Sequence, residues 1–98
     1  MLYMVEATHG PDTCAAFVEE SKKRVQAMKA QIDDVAKSHG ITMKGSWVAM
    51  VAHRIYMLVD APNGHAVQDL VEEVELYAWN TVVMYPVNDL GESLQKIK

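Results

Sequence analysis

The stretch Ile41–Asp60, ITMKGSWVAMVAHRIYMLVD, decides the fold. Ile41–Val51 crowds β-branched, aromatic and other apolar residues into one strand-length run, and His53–Asp60 is a second such run. The short junction at Ala52 makes the two a hairpin. Gly45 inside the first strand predicts a bulge or a close backbone approach, and Pro62-Asn63-Gly64 ends the second strand with turn residues.

Upstream, Leu2–Thr8 reads as a strand closed by His9-Gly10-Pro11. A helix is expected to follow, capped by Asp12 or Thr13. Its register of Cys14, Val18, Val25, Met28, Ile32 and Val35 keeps one apolar face toward the sheet, and His39-Gly40 stops it. Unbroken from Thr13 to His39, that helix would be about 40 Å long at ~1.5 Å per residue. It is therefore expected to overhang the sheet or to bend near its start. Downstream, Val67, Leu70, Val71, Val74 and Tyr77 form a helical face over 65–77, and Thr81–Val87 is the closing strand. Pro86 marks that strand as an edge, because proline cannot donate to a ladder. The tail 88–98 carries a weak helical pattern in Leu90, Leu94 and Ile97.

The order is βαββαβ in a single domain, 1–98. It predicts an α+β, ferredoxin-like antiparallel sheet with two helices on one face. Nearly every strand is apolar on both faces, so the face opposite the helices needs a cover. A second copy of the chain supplies it, which predicts a homodimer, with room for higher homo-oligomers, whose sheets enclose a shared interior. A lone domain of this length buries only about two-thirds of its unfolded surface, so pairing also adds stability.

Composition narrows the partners. Half of the 98 residues are hydrophobic and seven are Met, yet no apolar run nears the roughly 20 residues needed to cross a bilayer. Met1 leads almost directly into a strand, without a basic n-region, an apolar h-region or a cleavage site, which makes a cytoplasmic address the expectation. A net charge of −4, with nine Lys and Arg spread along the chain, leaves no basic stripe for nucleic acid. Cys14 is the only cysteine, so neither an internal disulfide nor a Cys-x-x-Cys site exists. No cofactor is expected.

Alternation along strand one puts Leu2, Met4, Glu6 and Thr8 on one face and Tyr3, Val5 and Ala7 on the other. Strand three offers a matching set in Arg54, Tyr56, Leu58 and Asp60. Glu6, a carboxylate in mid-strand among apolar neighbours, is the candidate acid or base, with Arg54 holding an anionic or enolate oxygen and Tyr56 donating a hydrogen bond. Met4, Thr8, Trp47, Leu58, Trp79 and Met84 are the candidate ligand-binding residues. A methionine-rich, adaptable lining suits an aromatic or lactone-like molecule better than a sugar.

His9 and Cys14 form a second constellation. A thiol in the first helical turn meets unpaired backbone N–H groups, which favour the thiolate, and His9 is close in sequence. Two ligands are too few for a metal site. In the order 4-1-3-2, strands one and three are expected as parallel neighbours, which puts His53 near the start of strand one and about 20 Å from His9 at ~3.3 Å per residue; a site built from His9, Cys14 and His53 in one subunit is therefore not expected. This constellation defines the alternative function, a non-enzymatic metal- or redox-sensing module; a structural dimer without ligand is the third reading.

Gly45-Ser46-Trp47, Tyr56-Met57-Leu58-Val59-Asp60-Ala61-Pro62 and Ala66-Val67-Gln68-Asp69-Leu70 resemble the dimeric α+β barrel superfamily, close to the muconolactone isomerase-like proteins. Trp79-Asn80-Thr81 through Pro86-Val87 is similar to small uncharacterised members, some of which also carry a strand-end His followed by Pro and Cys, as in His9, Pro11 and Cys14. The resemblance implies a homodimer whose two sheets enclose a pocket for a small organic molecule, with isomerase or cofactor-free oxygenase activity among the outcomes. The isomerase presents a His and a Lys from strand one toward the cavity. Here those positions resemble Met4 and Glu6, so its activity does not carry over.

Overall fold

The computed structural model describes residues 1–97. The elements are β1 (Leu2–Thr8), α1 (Glu19–Ser38), β2 (Thr42–Ala49), β3 (Arg54–Asp60), α2 (Gly64–Glu73), a 3₁₀ turn (Leu76–Ala78), β4 (Thr81–Val87) and α3 (Leu90–Leu94). The four strands form one sheet in the order β2-β3-β1-β4, antiparallel at every pairing. This is the expected α+β, ferredoxin-like arrangement.

One expectation about strand direction fails. β1 and β3 are antiparallel neighbours, with Thr8 opposite Arg54 and Leu2 opposite Asp60. The reason lies in the connections. The α1 crossover returns the chain to run β2 in the same direction as β1, and the tight hairpin then reverses it into β3. The start of β3 consequently meets the end of β1, and the backbone N–H of His9 donates to the His53 carbonyl at 3.1 Å.

Alternation along the strands separates the two faces. Tyr3, Val5 and Ala7 of β1 and Met57 and Val59 of β3 are buried beneath the helices. Val67, Leu70 and Val71 of α2, followed by Leu76, close over them. Asn63 caps α2 by accepting the Ala66 N–H at 2.9 Å, satisfying a donor that the first turn leaves unpaired. The described domain is 51 × 31 × 17 Å, and the short dimension holds one sheet and one helix layer.

α1 begins at Glu19 rather than near Thr13. The intervening chain is spent in turns: the Thr13 N–H donates to the Gly10 carbonyl, and those of Phe17 and Val18 to the Cys14 carbonyl. Neither Asp12 nor Thr13 caps the helix. Its N-cap position is Val18, which has no side-chain hydrogen bond to offer. At 20 residues and ~1.5 Å per residue the helix is about 30 Å long, still longer than the seven-residue strands at about 23 Å.

Gly45 sits at a register shift in the β2–β3 ladder, the bulge its position predicts. It also lies beneath Trp47, whose ring atoms come within 2.6 Å of where a Cβ would stand. Pro86 falls near the end of edge strand β4. The hairpin turn closes with the His53 N–H donating to the Met50 carbonyl at 3.2 Å, and His53 itself adopts a left-handed conformation with φ 54°.

Candidate functional site

The face of the sheet opposite the helices carries most of the residues singled out from the sequence. Register places Glu6 opposite Tyr56 and Met4 opposite Leu58, with Thr8 opposite Arg54 at one end. On the other flank, Glu6 faces Val83 and Met4 faces Tyr85. Trp47 of β2 lies opposite Tyr56 and extends the same face. An antiparallel sheet open to water on one side normally presents polar residues there. Here Trp47 and Val83 are more than half exposed and Tyr85 is 42% exposed, around the mid-strand carboxylate of Glu6.

Glu6 receives its hydrogen bond from Tyr85, at 2.8 Å to Oε2, rather than from Arg54. That bond raises the Tyr85 phenol above its ordinary value by favouring the form that can donate; burial, the Glu6 charge and nearby Tyr56 act in the same direction. The result is an acid–phenol pair at the centre of the face, with Met4, Leu58 and Val83 as apolar neighbours. Tyr85 was not singled out from the sequence, although alternation of Val83, Tyr85 and Val87 beside β1 is enough to place it there.

Two of the expected ligand-binding residues belong to the other side. Met84 pairs with Val5 across the β1–β4 ladder and so faces the helices, where it helps line a shallow groove of about 430 Å³ with Val71, Tyr77 and Val82. Trp79 is buried in the core at the end of the 3₁₀ turn.

The helix side of the same sheet holds a second cluster. His9, Cys14 and His53 each place one ligand atom within 4.8 Å of the others. This corrects the expectation that His53 lies far from His9, and the antiparallel β1–β3 pairing is the cause. The His9 and His53 rings stand edge to face with centroids 5.4 Å apart, and Trp79 packs on His9 at 5.0 Å. Cys14 is buried, yet five residues ahead of α1, so the helix N-terminus assumed for it in the sequence does not act on it. Asn80 completes the surroundings: its Oδ1 lies 2.7 Å from His9 Nδ1, while its Nδ2 donates to the Leu76 carbonyl at 3.1 Å. Nothing in the sequence marks Asn80 for this role.

Comparison with known proteins agrees with the architecture. The family model described as "Domain of unknown function (DUF3303)" matches residues 1–98. Muconolactone isomerase superposes with a TM-score of 0.57 at 18% identity, over 91% of this chain and 90% of that one. The de novo designed protein Ferredog-Diesel gives 0.56 at 14% identity, over 88% and 85%. A REP-associated tyrosine transposase bound to a REP hairpin gives 0.54 at 6% identity, over 98% of this chain and 61% of that one. No curated protein matches the sequence. Likeness at these identities is likeness of fold, and this fold hosts unrelated activities.

Proposed function

For this chain, which belongs to the DUF3303 family, we propose a homodimer in which two open sheet faces enclose a pocket for a small, largely apolar organic molecule. The observation that carries the proposal is the uncovered face itself, where Met4, Leu58, Val83 and Trp47 surround the hydrogen-bonded Glu6–Tyr85 pair. Contiguous apolar surface of this kind favours a partner over water. The fold shared with muconolactone isomerase supports a homo-oligomer of this type.

Within the pocket, Glu6 is the group to accept or deliver a proton, Tyr56 and Tyr85 donate hydrogen bonds, and Arg54 at the Thr8 end neutralises an anionic substituent. Trp47 and Leu58 supply walls for an aromatic or lactone-like ring. Proton-transfer isomerisation is the chemistry such a set performs, since a carboxylate shielded from water is suited to abstract a proton beside a carbonyl.

Native mass spectrometry of the protein as purified, followed by denaturing release, tests the proposal. The expected species has twice the 11.0 kDa chain mass and frees a stoichiometric organic molecule, with Glu6→Gln retaining less of it. A bare species at the mass of one chain overturns the reading.

A further inference from the structure

We propose that His9, Cys14 and His53 form a three-ligand site for a late first-row transition-metal ion, zinc(II) being the representative case, with its fourth position open to solvent. The site is independent of the open-face pocket, because all three residues lie on the helix side of the sheet.

The donor set selects the ion class. One thiolate and two imidazoles suit zinc, cobalt and copper and do not suit magnesium or calcium, which take oxygen ligands. At bond lengths of ~2.0–2.3 Å, tetrahedral ligands stand about 3.3–3.8 Å apart. The three ligand atoms already lie within 4.8 Å of one another, about 1 Å beyond the upper end of that spacing.

The surroundings are those that metal-bound histidines need. The Asn80 amide is oriented by its own donation to the Leu76 carbonyl, so its Oδ1 accepts from His9 Nδ1. That bond commits the proton to Nδ1 and leaves the Nε2 lone pair of His9 free to bind an ion, as outer partners of metal-bound histidines commonly do. Among the described residues His53 Nδ1 is buried without a hydrogen-bond partner, an expensive state for a polar atom unless something else engages the ring. His53 also holds a left-handed backbone at φ 54°, a position that glycine or asparagine fills at lower cost. Strain retained at one residue fits a side chain that is needed there.

Access exists as well. Cys14 and His53 form the floor of an open pocket of about 320 Å³ walled by Phe17, Met50 and Val51. Phe17 and Val51 are strongly exposed. An ion on the three ligands would direct its fourth position toward this apolar mouth, the arrangement that leaves room for a water or an incoming ligand.

Cobalt(II) titration of untagged, chelator-stripped, reduced protein reads the site directly. The expected result is saturation at one ion per chain, with a thiolate-to-cobalt charge-transfer band and intense tetrahedral d–d bands that zinc(II) abolishes. Cys14→Ser should remove the charge-transfer band. His53→Asn, which keeps a residue suited to positive φ, should weaken binding at least tenfold. Asn80→Ala, a positioning change, should keep the band but weaken binding about 10–100-fold, while His65→Asn on the surface should change nothing. Absence of the charge-transfer band in the unaltered protein, or a titration unmoved by His53→Asn, overturns the proposal. If a variant loses its fold by circular dichroism, the unaltered protein still decides. Equimolar zinc(II) should slow alkylation of Cys14 at least tenfold, and an unchanged rate refutes the site.

Discussion

Val83→Lys probes the open sheet face where a charge is most informative. Val83 stands beside Glu6 on edge strand β4 and is 55% exposed in the single chain. Fully burying a valine side chain contributes about 1.5–3 kcal/mol, so covering the exposed part contributes about 1 kcal/mol per protomer and about 2 kcal/mol in a two-fold dimer. Lysine forfeits that contribution, and confining its long side chain at the interface costs about 1 kcal/mol more per copy. Together these weaken pairing by about 4 kcal/mol, on the order of a thousandfold in the dissociation constant. The chain's own fold should be nearly indifferent, since an exposed strand substitution usually changes stability by less than about 1 kcal/mol. Sedimentation velocity over a dilution series, beside a urea melt of each variant, measures both quantities. An unchanged dissociation constant in a folded Val83→Lys protein would refute the assignment of this face to the interface.

Other parts of the account are open to simpler tests. Leu70, fully buried where α2 meets the sheet, should cost about 2–5 kcal/mol when replaced by alanine, read by urea unfolding. His53→Val should cost about 1–2 kcal/mol more than His53→Asn, because a β-branched side chain opposes the left-handed backbone at that turn. Tyr85 should ionise above the ordinary phenol range near ~10, and Glu6→Gln should bring its ultraviolet titration back toward that value. The sign follows from the raised folded value: the Tyr85–Glu6 bond contributes fully below the unfolded pKa and is lost as pH rises through the folded one.

The strands were the legible part of this chain. Alternation placed Tyr3, Val5 and Ala7 in the core and Met4 and Glu6 on the open face, and Gly45 and Pro86 marked a bulge and an edge where both occur. The start of α1 was less legible. Cys14 and Val18 continue the helical spacing, but carbonyls of Gly10 and Cys14 capture the local donors in turns before the helix begins. The cluster of His9, Cys14 and His53 was hidden by the direction of one strand. The sequence contains His9, Cys14 and His53 in plain view, and treating β1 and β3 as parallel sent His53 to the wrong end of the sheet. Counting reversals along β1, α1, β2 and the hairpin restores it. Asn80 was beyond sequence reasoning, since its role depends on where the 3₁₀ turn delivers its amide.

Trp47 offers the most direct test of the proposed dimer, because it is 56% exposed on the open face while Trp79 is buried. Acrylamide quenching of a Trp79→Phe protein, in which Trp47 is the only tryptophan, should be recorded from high to low protein concentration. A covered face predicts blue-shifted emission and slow quenching in the assembled protein, with faster quenching wherever dilution separates the copies. Emission at the red, fully hydrated end with rapid quenching at every concentration would contradict the proposal that a second copy closes over this sheet.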